Sequence, residues 1–557
     1  MKVFKGIAGA PGIASGKLLY FEKNTSSEKE VGIDEAIEKS LERVRTLKEK
    51  ALADLGEDKA KIFAAYEMLL EDTMLTDPIR EAIKGGTPAE KAVTDTTEMM
   101  AGVLQSKKSE YMRQRADDIR YIGGILKDAL KGADNEFSFP EGDEKFILAA
   151  YELTPVDTMM FDHSRLAGLV TEKGGATSHT VILAKSIGIP AVVGVSGLEE
   201  VKTAKTAYLD GYGGTLAADP EGEELKKYEK LLCDEEQLKE QLEKIKKTDA
   251  HTKDGERIAV AVNIGKPSDL KDAGEEKFDG VGLFRSEFLY SSADKKPSKE
   301  EQITAYKKAI DAVYPNPVTI RTLDAGGDKQ IDYLGMKVEE NPFLGNRGIR
   351  LCLNNPEIFS EQLEAILIAA TGKSVKIMLP MITCTEEIKK TRALISQIEK
   401  RLDSEGTDYC KKVSLGIMIE TPASAITAEA FAKQCDFFSI GTNDLVQYIT
   451  AADRGNADVE NVYNPCHPAV LKMLYNVISA GAKAGIEVSV CGDMAANPIF
   501  TELLLGMGLK KFSVPLPMVS RIKHKIGSAD LNEAKALAEK VLETEDEKEI
   551  INILRKE

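Results

Sequence analysis

Long apolar runs are missing from this chain, and no stretch reaches the length needed to cross a bilayer. The opening residues, MKVFKGIAGAPGIASGK, hold no sustained apolar core and read as a short strand with glycine turns rather than a signal peptide. Paired cysteines are missing as well. The seven cysteines (Cys233, Cys352, Cys384, Cys410, Cys435, Cys466 and Cys491) are scattered, odd in number and form no CxxC pair. That argues against a disulfide framework or a zinc site and for a reducing compartment. Positive charge is in deficit: 74 Lys and Arg face 91 Asp and Glu, a net charge of −17, which counts against a nucleic-acid surface. What remains is a soluble, cytoplasmic, multidomain protein. Its 557 residues predict about three to four domains, and 43% apolar content supplies full cores.

Histidine is scarce too, with five in all, and one of them ends an unusual run. GGATSHT, residues 174–180, puts His179 directly after Gly-Gly-Ala-Thr-Ser, and the residues from Val181 to Ser186 read as the first turns of a helix. Glycines permit close backbone approach, Thr177 and Ser178 are able to cap the helix, and a helix N-terminus favours an anion. The pattern suits a histidine that carries a phosphoryl group; a capped turn with a histidine nearby is the plainer alternative.

Along the chain, residues 1–22 look like β structure, and the character changes at Asp34. Asp34 is a candidate cap for a helix whose apolar positions Ile37, Leu41, Val44, Ala51 and Leu55 keep helical spacing. Helical patterns continue through 61–75, 88–105 and 111–132; strand-like runs return at 145–150, 168–173, 191–195 and 206–210. The helical block therefore reads as an insertion within one α/β domain. Residues 221–247 are densely charged, with a thin apolar stripe of Leu225, Leu231, Leu232, Leu238, Leu242 and Ile245. They predict a long connecting helix with one packed edge, a coiled-coil partner being the alternative. Beyond it eight short β-rich runs recur, at 258–263, 280–284, 318–322, 375–380, 415–420, 437–441, 488–491 and 512–515. Eight βα units predict a (β/α)8 barrel; the count favours it over a doubly wound sheet.

In such a barrel the residues just past each strand share one catalytic face. Those positions hold Arg285-Ser286-Glu287, Arg321 with Asp324 and the GGDK turn (326–329) behind it, Glu420, Gly441-Thr442-Asn443-Asp444 and Cys491-Gly492-Asp493. Two loops add Arg347 and Arg454. Converging arginines suggest a bound polyanion, and Glu420 and Asp444 offer oxygen ligands of the kind a hard divalent cation accepts. Cys491 is either a buried small apolar residue or a proton donor.

Taken together, GGATSHTVILAKSIGIPAVVG (174–194), DFFSIGTNDLVQYITAADRGN (436–456), GLFRSEFLY (282–290), RTLDAGGDK (321–329), ENPFLGNRGIR (340–350), IMIETPAS (417–424) and CGDMA (491–495) carry a family resemblance. In order and spacing, over essentially the whole chain, they resemble the Enzyme I family of the bacterial phosphoenolpyruvate:sugar phosphotransferase system. The fold implied is α/β multidomain: a swivelling phosphohistidine α/β domain (1–22 and 140–220), an inserted all-helical subdomain (30–135), a linker helix (221–250) and a C-terminal (β/α)8 barrel (251–557). The resemblance implies His179 as the phosphorylated histidine and Thr158 as the residue holding its other ring nitrogen. It implies Arg285, Arg321, Asn443 and Arg454 for the substrate, with Arg347 and Lys329 supporting. Glu420 and Asp444 match ligands of Mg2+, and Cys491 matches the acid that protonates the enolate. The implied acceptor is the histidine-containing phosphocarrier protein (HPr), docked on the helical subdomain; Tyr66, Glu67, Glu71, Asp72 and Arg115 are candidate docking residues there, an ordinary solvated helix face being the alternative for each. The barrel is expected to form a homodimer.

The pattern departs at Asp493, where many relatives carry Glu, at Cys466, where an aromatic is frequent, and in the polar stretch YSSADKK (290–296). The competing enzyme reading is a phosphoenolpyruvate synthase or dikinase, which needs a large ATP-binding region for which residues 1–150 are too short. The competing non-enzyme reading is a regulatory paralogue, favoured by loss of His179, Cys491 or the carboxylates, all of which are present. Because His179 and the barrel belong to different domains, hinges are expected near 210–225 and 245–257. Adding phosphoenolpyruvate and Mg2+ is predicted to change the distance between the two halves, read by small-angle scattering or single-molecule fluorescence. An unchanged distance would sink the hinge.

Overall fold

The computed structural model describes residues 2–21, 31–55, 57–105, 110–132, 142, 144–153, 157, 161–175, 178–291, 295–327, 331–337, 339–459 and 461–555. The chain divides into two compact units, 1–238 and 239–557.

The first unit contains a mixed eight-stranded sheet built from β1 (Lys2–Lys5), β2 (Ile7–Ala10), β3 (Ile13–Phe21), β4 (Phe146–Ala150), β5 (Leu166–Thr171), β6 (Ala191–Val193), β7 (Thr206–Asp210) and β8 (Thr215–Ala218). The order is β1-β8-β7-β3-β4-β5-β6-β2, with β3 to β6 parallel. All five residues of β4 are buried, as expected of a central strand covered on both faces. Between β3 and β4 the chain forms helices α1 (Ile33–Leu55), α2 (Glu57–Glu71), α3 (Thr73–Lys84), α4 (Ala89–Gln105) and α5 (Glu110–Leu130). Their core includes Ile37, Val44, Phe63, Tyr66, Leu70, Val93 and Ile122.

Two helix expectations are corrected. The pattern at 61–75 is two helices, because the Asp72 carboxylate accepts from Met74 N at 2.9 Å and starts α3. The remainder of α3 shows no sequence signal because Pro78 lies inside it. Asp34 is inside the first turn of α1 instead of capping it, and it accepts from Arg80 Nε at 2.8 Å. The side chains of Ala51 and Leu55 lie outside the described residues.

The long helix Gly222–Ile245 has one packed edge, as its stripe predicts. All six stripe residues are half-buried, and the two fully buried side chains are Tyr228 and Glu235. Tyr228 OH lies 3.2 Å from Thr215 Oγ1, and Tyr212 OH donates to Glu235 at 3.1 Å.

In the second unit all eight expected strands are present: β10 (Arg257–Ile264), β11 (Val281–Arg285), β12 (Val318–Arg321), β13 (Val375–Leu379), β14 (Val413–Ile419), β15 (Phe437–Ile440), β16 (Glu487–Val490) and β17 (Lys511–Pro515). The short β9 (Ala250–His251) pairs antiparallel with β10. Strands β10 to β17 run parallel in sequence order, and β10 pairs with both β11 and β17, so the sheet closes. Closure leaves no free edge within the barrel. Its strands also pack outward against helices in one continuous core. The lumen is filled by Leu283, Met378, Met418, Phe437 and Cys491. All seven cysteines are free, five buried, with Cys233 and Cys384 exposed.

Lumen packing leaves no room at Gly416, where an added Cβ would sit 2.5 Å from both the ring and the carbonyl oxygen of Phe437. Overpacking outweighs the small entropic gain of losing a glycine. Gly416→Ala is expected to lower the unfolding free energy by about 1–3 kcal/mol, read from urea unfolding of the barrel unit.

Candidate active site

The strand register brings Arg285 and Arg321 side by side. They are Cα partners at the C-terminal ends of β11 and β12. Like charges on adjacent strands repel, so such a pair calls for an anion or for protein carboxylates. Carboxylates meet part of that need at Arg321, which is buried. Its Nη2 donates to Glu287 at 2.6 Å and its Nη1 is paired with Asp324 at 3.1 Å. Its Nε is buried with no hydrogen-bond partner among the described residues. Burial works against the charge on Arg321, but Glu287, Asp324 and Glu420 outweigh it and hold the guanidinium ionised. Arg285 is half-buried and meets no protein carboxylate among the described residues.

Arg347 is 1% exposed and ties two acids together. Its fork takes both oxygens of Asp324, at 3.0 and 3.1 Å, and both oxygens of Asp444, at 3.0 and 3.1 Å. Tyr448 OH is a further partner at 3.2 Å. Arg347 approaches the chain so closely that a side chain at Gly326 would meet its Cβ at 2.8 Å, and Gly326 has φ +113°. Arg454 Nη1 is 3.9 Å from Asp444.

Glu420, at the end of β14, is fully buried. Its Oε1 accepts from Met381 N at 2.6 Å, and its Oε2 is buried with no partner among the described residues. Met381 holds that N–H in place with φ +59°, a strained conformation for a residue with a side chain. Burial first, then the charges of Asp444 and Asp324, push the Glu420 carboxyl up to about 8. Asn443 Oδ1 accepts from Asp493 N at 2.8 Å, which fixes the orientation of its amide. Cys491 is buried in the lumen with its Sγ 3.5 Å from Ile440 O. Burial raises its thiol to about 11 against a hydrogen bond from Ser439, so it stays protonated at neutral pH.

Eight of the sequence-predicted residues thus gather at the C-terminal face of the barrel: Arg285, Arg321, Arg347, Glu420, Asn443, Asp444, Arg454 and Cys491. Thr158 and Lys329 lie outside the described residues. His179 is the first residue of a helix, His179–Ile187, in the other unit; its side chain lies outside the described residues. Ser178 occupies the cap position but makes no capping bond, and its hydroxyl is buried without a partner among the described residues. Thr177 is not among them. Glu287 and Asp324 are the participants that strand-end position alone leaves without a role. Glu287 answers an arginine 34 positions away, a pairing no local pattern signals.

In the helical subdomain Tyr66 is a core residue, with its hydroxyl donating to Asp118 at 2.8 Å, and this corrects its reading as a docking residue. Glu67 and Glu71 pair with Arg45, and Arg115's side chain is outside the described residues.

Removing Arg347 would strip four hydrogen bonds from two buried acids, leaving Asp324 with Arg321 alone and Asp444 with the more distant Arg454. Arg347→Met is expected to destabilise the barrel unit by about 3–5 kcal/mol, read by urea unfolding. Arg347→Lys, which keeps the charge and loses the fork, should fall between.

Three family models match in succession. They are the PEP-utilising enzyme N-terminal domain at residues 5–115, the PEP-utilising enzyme mobile domain at 142–214 and the PEP-utilising enzyme PEP-binding domain at 239–531. Among curated relatives, phosphoenolpyruvate-protein phosphotransferases of Listeria innocua and Listeria monocytogenes are each 40% identical, over 100% of this chain and 99% of theirs. The Bacillus subtilis protein of the same name is 39% identical over 100% of this chain and 99% of its own. With identity at this level along its full length, and with the arginines and carboxylates of its motifs gathered on one barrel face, the chain belongs to the phosphoenolpyruvate-protein phosphotransferase family of PEP-utilising enzymes.

Proposed function

We propose that this chain transfers the phosphoryl group of phosphoenolpyruvate to His179 and from there to the histidine of a small phosphocarrier protein (HPr). It would thereby start phosphotransferase-system sugar uptake. The observation that carries the reading is the in-register pair Arg285 and Arg321, the second with a buried, unbonded Nε. A trianionic substrate satisfies that pair, and arginine forks match both its phosphate and its carboxylate. Asn443 and Arg454 complete the set, with Arg347 holding Asp324 and Asp444 in place.

The donor set also fits Mg2+. Among the described residues no three His, Cys, Asp or Glu side chains form a cage, but Mg2+ usually takes one or two carboxylates plus water and substrate. Glu420, with its unbonded Oε2, and Asp444 would hold it. When bound, Mg2+ neutralises phosphate charge as the phosphoryl group leaves.

The chain's own groups do the rest. The neutral His179 imidazole attacks phosphorus through Nε2, a P–N bond forms, and the P–O bond breaks with its electron pair going to the enolate oxygen. To Thr158 we assign the holding of the other ring nitrogen, the role the family resemblance implies. The buried Cys491 thiol gives its proton to the enolate carbon, pyruvate forms, and water later reprotonates the thiolate. On the helical subdomain, Met68 and Met74 are 72% and 73% exposed beside Glu71 and Asp72, which supports a carrier-docking face there. We place the enzyme in the cytoplasm as a homodimer through its barrel; no described helix is long and apolar enough to cross a membrane.

Incubation with 32P-phosphoenolpyruvate and Mg2+ is expected to give acid-labile, base-stable label on the wild type and none on His179→Ala. Cys491→Ala is expected to cut pyruvate release by about a hundredfold or more, the usual worth of a positioned general acid. Label acquired from ATP would favour a dikinase, and absence of label a regulatory paralogue.

A further inference from the structure

Gln362 lies on the helix Pro356–Ala369, outside the barrel wall, has no role assigned above, and is fully buried. Its amide reaches the ends of both arginine-bearing strands. Nε2 donates to Ser286 Oγ at 3.0 Å, next to Arg285, and Oε1 accepts from the backbone N–H of Leu323 at 2.9 Å, two residues past Arg321. Ser286 spends its own proton on the carbonyl of Arg321, at 2.6 Å. The hydroxyl therefore has only a lone pair to offer the amide, and Leu323 offers only a donor, so the amide has one satisfactory orientation. A second bond from Nε2 goes to Tyr306 OH at 3.1 Å.

The strands need such a clamp. Pairing between β11 and β12 is irregular between Val281 and Phe284 and resumes only at Phe284–Ile320 and Arg285–Arg321. These last two residue pairs alone fix the register of the two arginines at the strand ends. Ser286, Arg321 and Leu323 are the backbone and side-chain groups that the Gln362 amide closes into one ring of hydrogen bonds.

We propose that Gln362, acting through Ser286, is a positioning residue that sets the spacing of Arg285 and Arg321 and so the affinity for phosphoenolpyruvate. The inference rests on the function proposed above. A misplaced arginine pair loses contact with substrate and transition state alike, which raises KM and spares kcat.

The test measures pyruvate release with a phosphocarrier protein as acceptor, at saturating Mg2+, alongside thermal unfolding. Gln362→Leu is expected to raise KM for phosphoenolpyruvate about tenfold with kcat within about twofold. Ser286→Ala should do the same, and the double variant should be no worse than either single one, since both break one ring. Tyr306→Phe removes a hydroxyl that touches both the amide and Ser286 but leaves the ring through Ser286, Arg321 and Leu323 closed, and should leave KM unchanged. Should Gln362→Leu fail to fold, Ser286→Ala against Tyr306→Phe carries the comparison. Unchanged KM in a folded Gln362→Leu or Ser286→Ala would overturn the proposal, as would an equal rise in Tyr306→Phe, which would mark general loosening. A saturable wild type with unaffected variants removes this proposal alone; a wild type that releases no pyruvate removes the functional reading with it.

Discussion

Charge buried in a low-dielectric interior must be answered at hydrogen-bond distance, and the barrel face is organised around that requirement. Arg321 and Arg347 are 5% and 1% exposed, and each is held by two carboxylates. The four acids involved or adjacent, Glu287, Asp324, Asp444 and Glu420, come from different strand ends and loops. Drawing them together costs several kcal/mol of desolvation per ion. Only a closed, rigid scaffold can enforce that geometry, and the eight parallel strands supply it by leaving no edge to slip. The network is consequently poor as a source of stability and good as a source of pre-set field at one spot.

The barrel is highly legible in the sequence, and physics explains why. Each parallel strand is buried on both faces and reads as a short apolar run bounded by polar residues. The eight runs therefore stand out, and their ends fall within two residues of the observed strands. The face that gathers Arg285, Arg321, Glu420, Asp444 and Cys491 follows from counting to the end of each run.

What was not legible depends on partners distant in the chain. Nothing local says that Arg347 would tie Asp324 to Asp444, or that Glu287 would serve Arg321. The break at Asp72 was hidden because residues on both sides keep helical spacing; the side chain that ends one helix and begins the next is a single carboxylate. Tyr66 looked like surface beside Glu67, yet a hydroxyl that finds Asp118 allows the ring to be buried. Ser178 shows the converse: the right residue type stands at a helix start, and its hydroxyl is not used as a cap.

The distribution of thiols has a practical side. Five of the seven are sealed in cores, and the two that water reaches, Cys233 and Cys384, fall in different units of the molecule. The native chain therefore carries one alkylation handle on each half. A dye or spin label could be attached to both without mutagenesis, and the thiol in the barrel lumen would be left untouched.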